Sequence, residues 1–358
     1  RGEMTVEAQP ERPSPRGALG RRRRPSATSI IGLFFLALIA AWVLRNFISN
    51  PELFIEISLI GLTTGCVYAL VALGYTLVYG ILQLINFAHG DVFALSGLVA
   101  YSISINLLDL TGNTATIALI GGLALTLVLA AAFAASLNFT IEFLAYRRLR
   151  DQPRLTMLIT AVGMSFIVSN IALYFYGVRF YSASDLIQSG AAFTIGDISV
   201  RWNQLVVILI TIPVLLILTW LVRSTKQGKG MRAVAQDQDA AAMMGINVNR
   251  TISFTFILAG SLAGAAGLLF LLLFNMRYNT GFELGLIAFT AAVLGGIGNL
   301  AGATLGGILI GLIQSWNEGL THWTAGGSWT RSIVFGILIA ILVFRPEGLL
   351  GERTPEGA

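Results

Sequence analysis

The chain has 358 residues, of which 55% are hydrophobic and only 11% charged, and its mean hydropathy is +0.77. A soluble domain usually carries about 25% charged residues, so this chain cannot cover a water-facing surface and lipid must be its solvent. The single cysteine, Cys66, excludes a disulfide framework or a cysteine metal site. The net charge of +5 calls for a membrane explanation rather than nucleic acid.

Residues 1–30 are polar, Pro-rich and basic, ending in Arg21–Arg24 and Pro25. That composition cannot build a core and reads as a disordered cytosolic tail. The apolar stretch Ile31 to Leu44 follows. Its downstream neighbours, Arg45-Asn46-Phe47-Ile48, offer no small-x-small cleavage site, which favours an uncleaved first span over a signal peptide. A spanning helix needs about 20 mostly apolar residues. Spans are therefore placed near 31–49, 55–80, 92–108, 115–139, 155–176, 203–222, 252–274, 284–298, 302–317 and 331–344, the last three short or Gly-rich. The expected fold is an all-α integral membrane protein, a polytopic bundle of about ten transmembrane helices over residues 31–344. Residues 223–250 form a cytosolic segment within it, and 345–358 a cytosolic C-terminal tail.

With both ends cytosolic, only Arg45, Arg179, Arg201, Arg277 and Arg331 of the 23 Lys and Arg residues fall outside, in line with the positive-inside rule. Trp42, Tyr174, Tyr176, Trp202, Trp220, Trp316 and Trp329 lie near span ends, where aromatic belts form. Residues 57–108 run helix, polar break, helix, and residues 252–317 do something similar with Gly-rich breaks. A five-plus-five division of the spans would set the halves in opposite orientation, as an inverted repeat.

The sequence carries no recognisable engine. It has no G-x-x-x-x-G-K-[ST] loop for ATP. The Gly295–Gly302 run lies between apolar helices and reads as a tight hairpin rather than a dinucleotide loop. Every Asp and Glu maps to a loop, a tail or a span end, Asp91 and Glu142 being the nearest to a span interior, which argues against ion coupling. The two histidines, His89 and His322, fall on opposite sides, so neither a Ser–His pair nor a metal site is expected.

Two segments stand out. Residues 79–93 interrupt the apolar runs with Asn86, His89, Gly90 and Asp91. A broken helix at membrane depth must line protein or a cavity, so this is either a wall or gate of a solute path or a helix terminus capped by Asp91. Residues 228–245, from Gly228-Lys229-Gly230-Met231-Arg232 to Met243-Met244-Gly245, favour a helix ended by Gly245. That helix either docks into a partner's groove or is an ordinary basic anchoring loop. Thr64, Tyr68, Tyr75, Thr76 and Asn86 are neutral polar groups beside small residues that suit a path for a zwitterion, and their helical spacing also fits plain packing.

Gly74-Tyr75-Thr76-Leu77-Val78-Tyr79-Gly80 and Ile85-Asn86-Phe87-Ala88-His89-Gly90-Asp91 resemble the permease subunits of branched-chain amino acid ABC importers, LivH type. So do the blocks Ile159–Ser165 and Ala288–Gly298, and the likeness runs from about residue 55 to 350. The resemblance implies a second homologous permease, two cytosolic ATPases that bind the ATP, an extracytoplasmic solute-binding protein, and a multi-pass place in the bacterial inner membrane. It implies no cofactor in this chain and no nucleic acid. It also turns the helix of 231–245 into a coupling helix: Asp239-Ala240-Ala241-Ala242-Met243-Met244-Gly245 is similar to the Glu-Ala-Ala-x-x-x-Gly motif of ABC importer permeases, with Asp for Glu and without the Ile-x-Leu-Pro tail. Met231, Arg232, Asp239, Ala240, Ala241 and Gly245 are the expected coupling residues. Thr64, Tyr68, Tyr75, Thr76, Asn86, His89, Gly90 and Asp91 are the expected path or gate. A urea or short-amide importer of the same superfamily, an ion-coupled secondary transporter and, last, a membrane enzyme are the other readings.

Overall fold

In lipid, a backbone satisfies its N–H and C=O groups only within helices or a closed barrel, and these apolar runs take the first route. The computed structural model describes residues 27–150, 152–187, 190–196, 198–345 and 347–351. In chain order the helices are α1 (Ala27–Ser49), α2 (Pro51–Leu82), α3 (Ala88–Tyr101), α4 (Thr116–Ile141), α5 (Arg154–Tyr176), α6 (Trp202–Ser224), α7 (Lys226–Gln236), α8 (Gln238–Met243), α9 (Val248–Leu273), α10 (Thr280–Gly295), α11 (Leu300–Gly319) and α12 (Thr330–Phe344). Apart from the short α7 and α8, each falls on a predicted span. Seven helical stretches among the described residues are long and apolar enough to cross a membrane, and α1 and α10 add the shorter apolar stretches Ala37–Ser49 and Thr280–Gly295. The expected tail lies outside the described residues up to residue 26, and α1 begins within its last four positions.

Other features have no counterpart in the sequence reading. Helix α3 continues as a π-helical turn over Ser102–Leu107, and α4 does so over Glu142–Tyr146. Between α5 and α6 an antiparallel hairpin forms from β1 (Ala191–Ile195) and β2 (Ile198–Arg201), with Gly196 at φ +64° in its turn. The start of the expected C-terminal tail is pinned: Leu349 and Leu350 donate backbone hydrogen bonds to the carbonyls of Leu294 and Gly295, at 2.8 and 2.9 Å.

Helices α2 and α9 make the core. Of their spanning windows, 72% and 78% are buried, against 22% for α4, α5 and α6. The packing maps onto itself when α2–α5 is exchanged with α9–α12. Helix α2 packs on α11 as α9 packs on α4, α3 meets α9 as α10 meets α2, and α3 meets α5 as α10 meets α12. The correspondence reaches single residues. A Cβ on Gly65 of α2 would sit 2.7 Å from the Ile308 Cα of α11, and one on Gly260 of α9 would sit 2.5 Å from the Ala134 carbonyl of α4. Small residues let these backbones touch, which is how helices associate where lipid removes the hydrophobic drive. Seven residues before each glycine a serine ties the same seam. Ser58 Oγ accepts from Trp316 Nε1 at 2.9 Å, and Ser253 Oγ donates to Glu142 Oε2 at 2.7 Å. The Tyr75–Phe289 ring pair, at 6.1 Å, is mirrored by Phe270–Phe93, at 5.6 Å.

The two seams are antiparallel and point opposite ways, so the repeat is inverted. The C-termini of α2, α4, α6, α10 and α12 gather with the N-terminus of α9 at one end. That end carries Arg147, Arg148, Arg150, Lys226, Lys229, Arg232, Arg250 and Arg345 and is called the basic end below.

Candidate functional site

The break after α2 does not simply turn the chain around. Gln83, at φ +51°, ends α2, and residues 83–87 climb back beside it. The His89 imidazole then lies against Gly74, where any Cβ would run into the ring, and packs edge-on to Tyr75 at 4.9 Å between centroids. Gly74 precedes the end of α2 by eight residues, about 12 Å along a helix, so α3 starts about two turns back along α2 rather than at its end. Gly90 completes the fit, since a Cβ there would come within 2.9 Å of the Gly285 Cα on α10.

All the expected path residues are buried; Tyr75, Asn86, His89, Gly90 and Asp91 gather around this start, whereas Thr64 and Tyr68 lie about two to three turns back along α2. Asn86 Oδ1 accepts from Tyr146 OH of the α4 extension at 2.7 Å. Asp91 Oδ2 accepts from the Ser165 hydroxyl of α5. Further along α2, Tyr68 OH donates to Gln314 Oε1 of α11 at 2.8 Å, and Thr64 bonds its own helix at the Ile60 carbonyl. Thr76 Oγ1, Asn86 Nδ2 and Asp91 Oδ1 have no hydrogen-bond partner among the described residues, and His89 faces the Val71 carbonyl without a well-formed bond. Tyr75 borders a crevice with Tyr79, Ile85 and Phe289 that has no room for a water. The cluster at the start of α3 touches the α4 extension, α5 and α10, Tyr68 reaches α11, and the arrangement is closed.

One expectation is corrected here. Asp91 does not cap α3: the helix begins three residues earlier, after Phe87, and has no side-chain cap. Asp91 and Glu142 lie towards helix ends and are nevertheless buried. Asp91 is 1% exposed within the span Ala88–Leu107, and Glu142 is fully buried. Glu142 is matched by Arg147 at 3.2 Å, by Arg150 and by Ser253, which ties α4 to α9 at the basic end. Ser165, Tyr146 and Gln314 were not singled out in the sequence. Only Ser165 carried a signal, as a hydroxyl in one of the four matching blocks.

The second segment is two helices rather than one. Asp237 breaks it, and its carboxylate accepts from Ala240 N at 2.9 Å to cap α8. Gly245, at φ +84°, ends α8 as expected. Its N–H bonds the Ala242 carbonyl at 2.9 Å and Ile246 N bonds Ala241 O at 3.0 Å, the paired bonds of a Schellman motif. Met231 and Ala241 are buried and hold the pair in place, while Arg232 is spent on the carbonyls of Val222 and Arg223. Asp239, Ala240 and Gly245 remain accessible. So do Met243 and Met244, 82% and 83% exposed, which the sequence reading passed over as helix formers. The pair of helices leans on the end of α2, where Gln238 Nε2 donates to the Ile81 carbonyl at 3.4 Å.

A polytopic helical bundle with a closed polar start to α3 and a short polar helix pair between two spans has the make-up of a membrane permease. Over residues 57–343 the sequence matches the family described as branched-chain amino acid transport system / permease component, and the chain belongs to that family. It is 35% identical over 305 residues to the high-affinity branched-chain amino acid transport system permease protein BraD of Pseudomonas aeruginosa, covering 83% of this chain and 95% of that protein. It is 34% identical over 302 residues to the permease protein LivH of Escherichia coli K12, with the same shares covered.

Proposed function

We propose that this chain is one membrane half of an ABC importer for leucine, isoleucine and valine, driven by partner ATPases that dock on α7 and α8. The observation that carries the docking is the exposed Met243–Met244 pair on a capped helix. Large apolar side chains at the water-facing tip of a polar segment mark a contact surface. The basic end is then cytosolic, as the positive-inside rule requires, and both termini lie there. A related permease would complete the path, and a solute-binding protein at the opposite end would supply tight recognition. Thr64, Tyr68, Tyr75, Thr76, Asn86, His89, Gly90 and Asp91 form the closed gate in this reading.

Buried Asp91 is the one observation that favours an ion-coupled carrier instead. Reconstitution separates the two readings. Leucine uptake should appear only when ATPase, second permease, binding protein and ATP are all supplied. Uptake by this chain alone down a proton or sodium gradient would overturn the importer reading.

A further inference from the structure

Three basic side chains converge on one cavity at the basic end. It measures about 480 Å³, lies between α7 and the first turn of α9, and is lined by Lys226, Lys229, Gly230, Ala233, Arg250 and Thr251 among others. No acidic residue lines it. All three cations are exposed, and none makes an ion pair among the described residues, where every salt bridge goes to Glu142 or Glu283. Like charges around one concavity repel each other, so the arrangement favours an anion with several oxygen acceptors, a phosphate group above all.

Position in the membrane identifies the source of that phosphate. The α6 span ends at Ser224, two residues before Lys226, and the α9 span begins at Val248, two residues before Arg250. The cavity therefore sits beside the ends of two spans, where a polar segment takes over from apolar helix. Helix α6 exposes Leu216, Ile217 and Trp220 just below that boundary, a surface suited to acyl chains with an indole at the interface. Gly230 and Ala233 leave the wall of the cavity open enough for a glycerol-sized group. We infer that this cavity binds the phosphate head group of an anionic phospholipid from the same leaflet, bridging α7 to α9. A basic pocket beside span ends on the basic side suits such head groups. The assignment does not depend on which solute the chain moves.

The test uses the full chain in nanodiscs containing phosphatidylglycerol and phosphatidylcholine, followed by native mass spectrometry of the retained lipid. Wild type should retain phosphatidylglycerol over phosphatidylcholine by about tenfold or more. The triple variant Lys226→Gln, Lys229→Gln, Arg250→Gln should bring that ratio to near unity. A control that removes two other exposed charges at the basic end, Arg148→Gln with Arg345→Gln, should leave it unchanged. Should the triple variant not fold, the single Lys229→Gln should still lower the ratio severalfold. Equal retention by the triple variant, or equal loss in the control, would overturn the site. Displacement of the lipid by millimolar glycerol 3-phosphate or inorganic phosphate would show a soluble phosphate as the true ligand and overturn the lipid assignment.

Discussion

In the first half of the chain Asn50 alone joins α1 to α2, and the polar break comes after α2, between Leu82 and Ala88. In the second half residues 225–247 separate α6 from α9, while the link after α9 is short and held by the Tyr181–Met276 bridge. Between these unlike links the two halves repeat the same seam, a serine and a small-residue contact seven positions on, once in α2 against α11 and once in α9 against α4. What is repeated is the scaffold. What differs, the re-entrant start of α3 and the inserted helix pair, is where function can reside. The two differences also meet, since α7 and α8 lean on Ile81 at the point where α2 gives way to the break. From that contact residues 83–87 lead along the chain to Asn86 and Asp91, whose side chains bond Tyr146 and Ser165 beyond α3.

If the scaffold is truly duplicated, both seams must fail alike. Gly65→Leu and Gly260→Leu each force a side chain into a facing backbone, and each should cost about 3 kcal/mol or more. The expected outcome is loss of monodisperse protein from detergent extracts in both cases. Tolerance of one and not the other would break the comparison.

The seams differ in chemistry at their ends, which sharpens it. Glu142→Ala leaves Arg147 and Arg150 facing each other without their shared carboxylate, and it should destabilise by about 3 kcal/mol. On the other seam Ser58→Ala removes one neutral hydrogen bond, the one to Trp316, the counterpart of Glu142, and should cost about 1 kcal/mol. Thermal unfolding of the purified variants reads both, and equal shifts would deny Glu142 any special place.

How much of this was legible follows from the same physics. Lipid forces each long apolar run into a helix, so the spans could be read from composition, as could Gly245 as a helix end. Contacts between α4 and α9 join residues more than 100 positions apart and leave no local period. The seams also use different letters for one job, Trp316 against Glu142 and Gly307 against Ala134, so the repeat is visible only in space. The two readings of Asp91 stayed open for a related reason. A carboxylate near an Asn, a His and a Gly suits a helix cap as well as a gate, and only the climb of residues 83–87 beside α2 shows it buried without capping α3.

The helix pair tests the asymmetry directly. Gly245→Val strains a left-handed position at a cost of about 1–2 kcal/mol, confined to the end of α8. In the reconstituted importer, leucine uptake should fall about tenfold, the loss of roughly 1.4 kcal/mol of productive docking, while ATP hydrolysis persists. A variant at Gly196, also at positive φ and exposed but in the turn between β1 and β2, should not separate the two activities. Unchanged uptake in Gly245→Val would remove α8 from the coupling route.

The smallest effect is that of Asp91→Asn, where the other asymmetry ends, at the clip between Asp91 and Ser165. Helix α5 packs chiefly on α3, and apart from this clip it meets that strand of the chain through the Tyr176–Ser102 hydroxyl pair at 3.0 Å. Ser165→Ala leaves the buried carboxylate without its donor and should cost about 1–2 kcal/mol. Asp91→Asn keeps an acceptor for the Ser165 hydroxyl, so it should change stability by less than about 1 kcal/mol. The double variant should then cost less than the sum of the singles, because asparagine without its serine partner strands no charge. Measured as a cycle, that coupling separates a clip from a working ionisable group. A clip leaves uptake of Asp91→Asn close to wild type, whereas a large loss of uptake with unchanged stability would mean that the carboxylate itself takes part in transport.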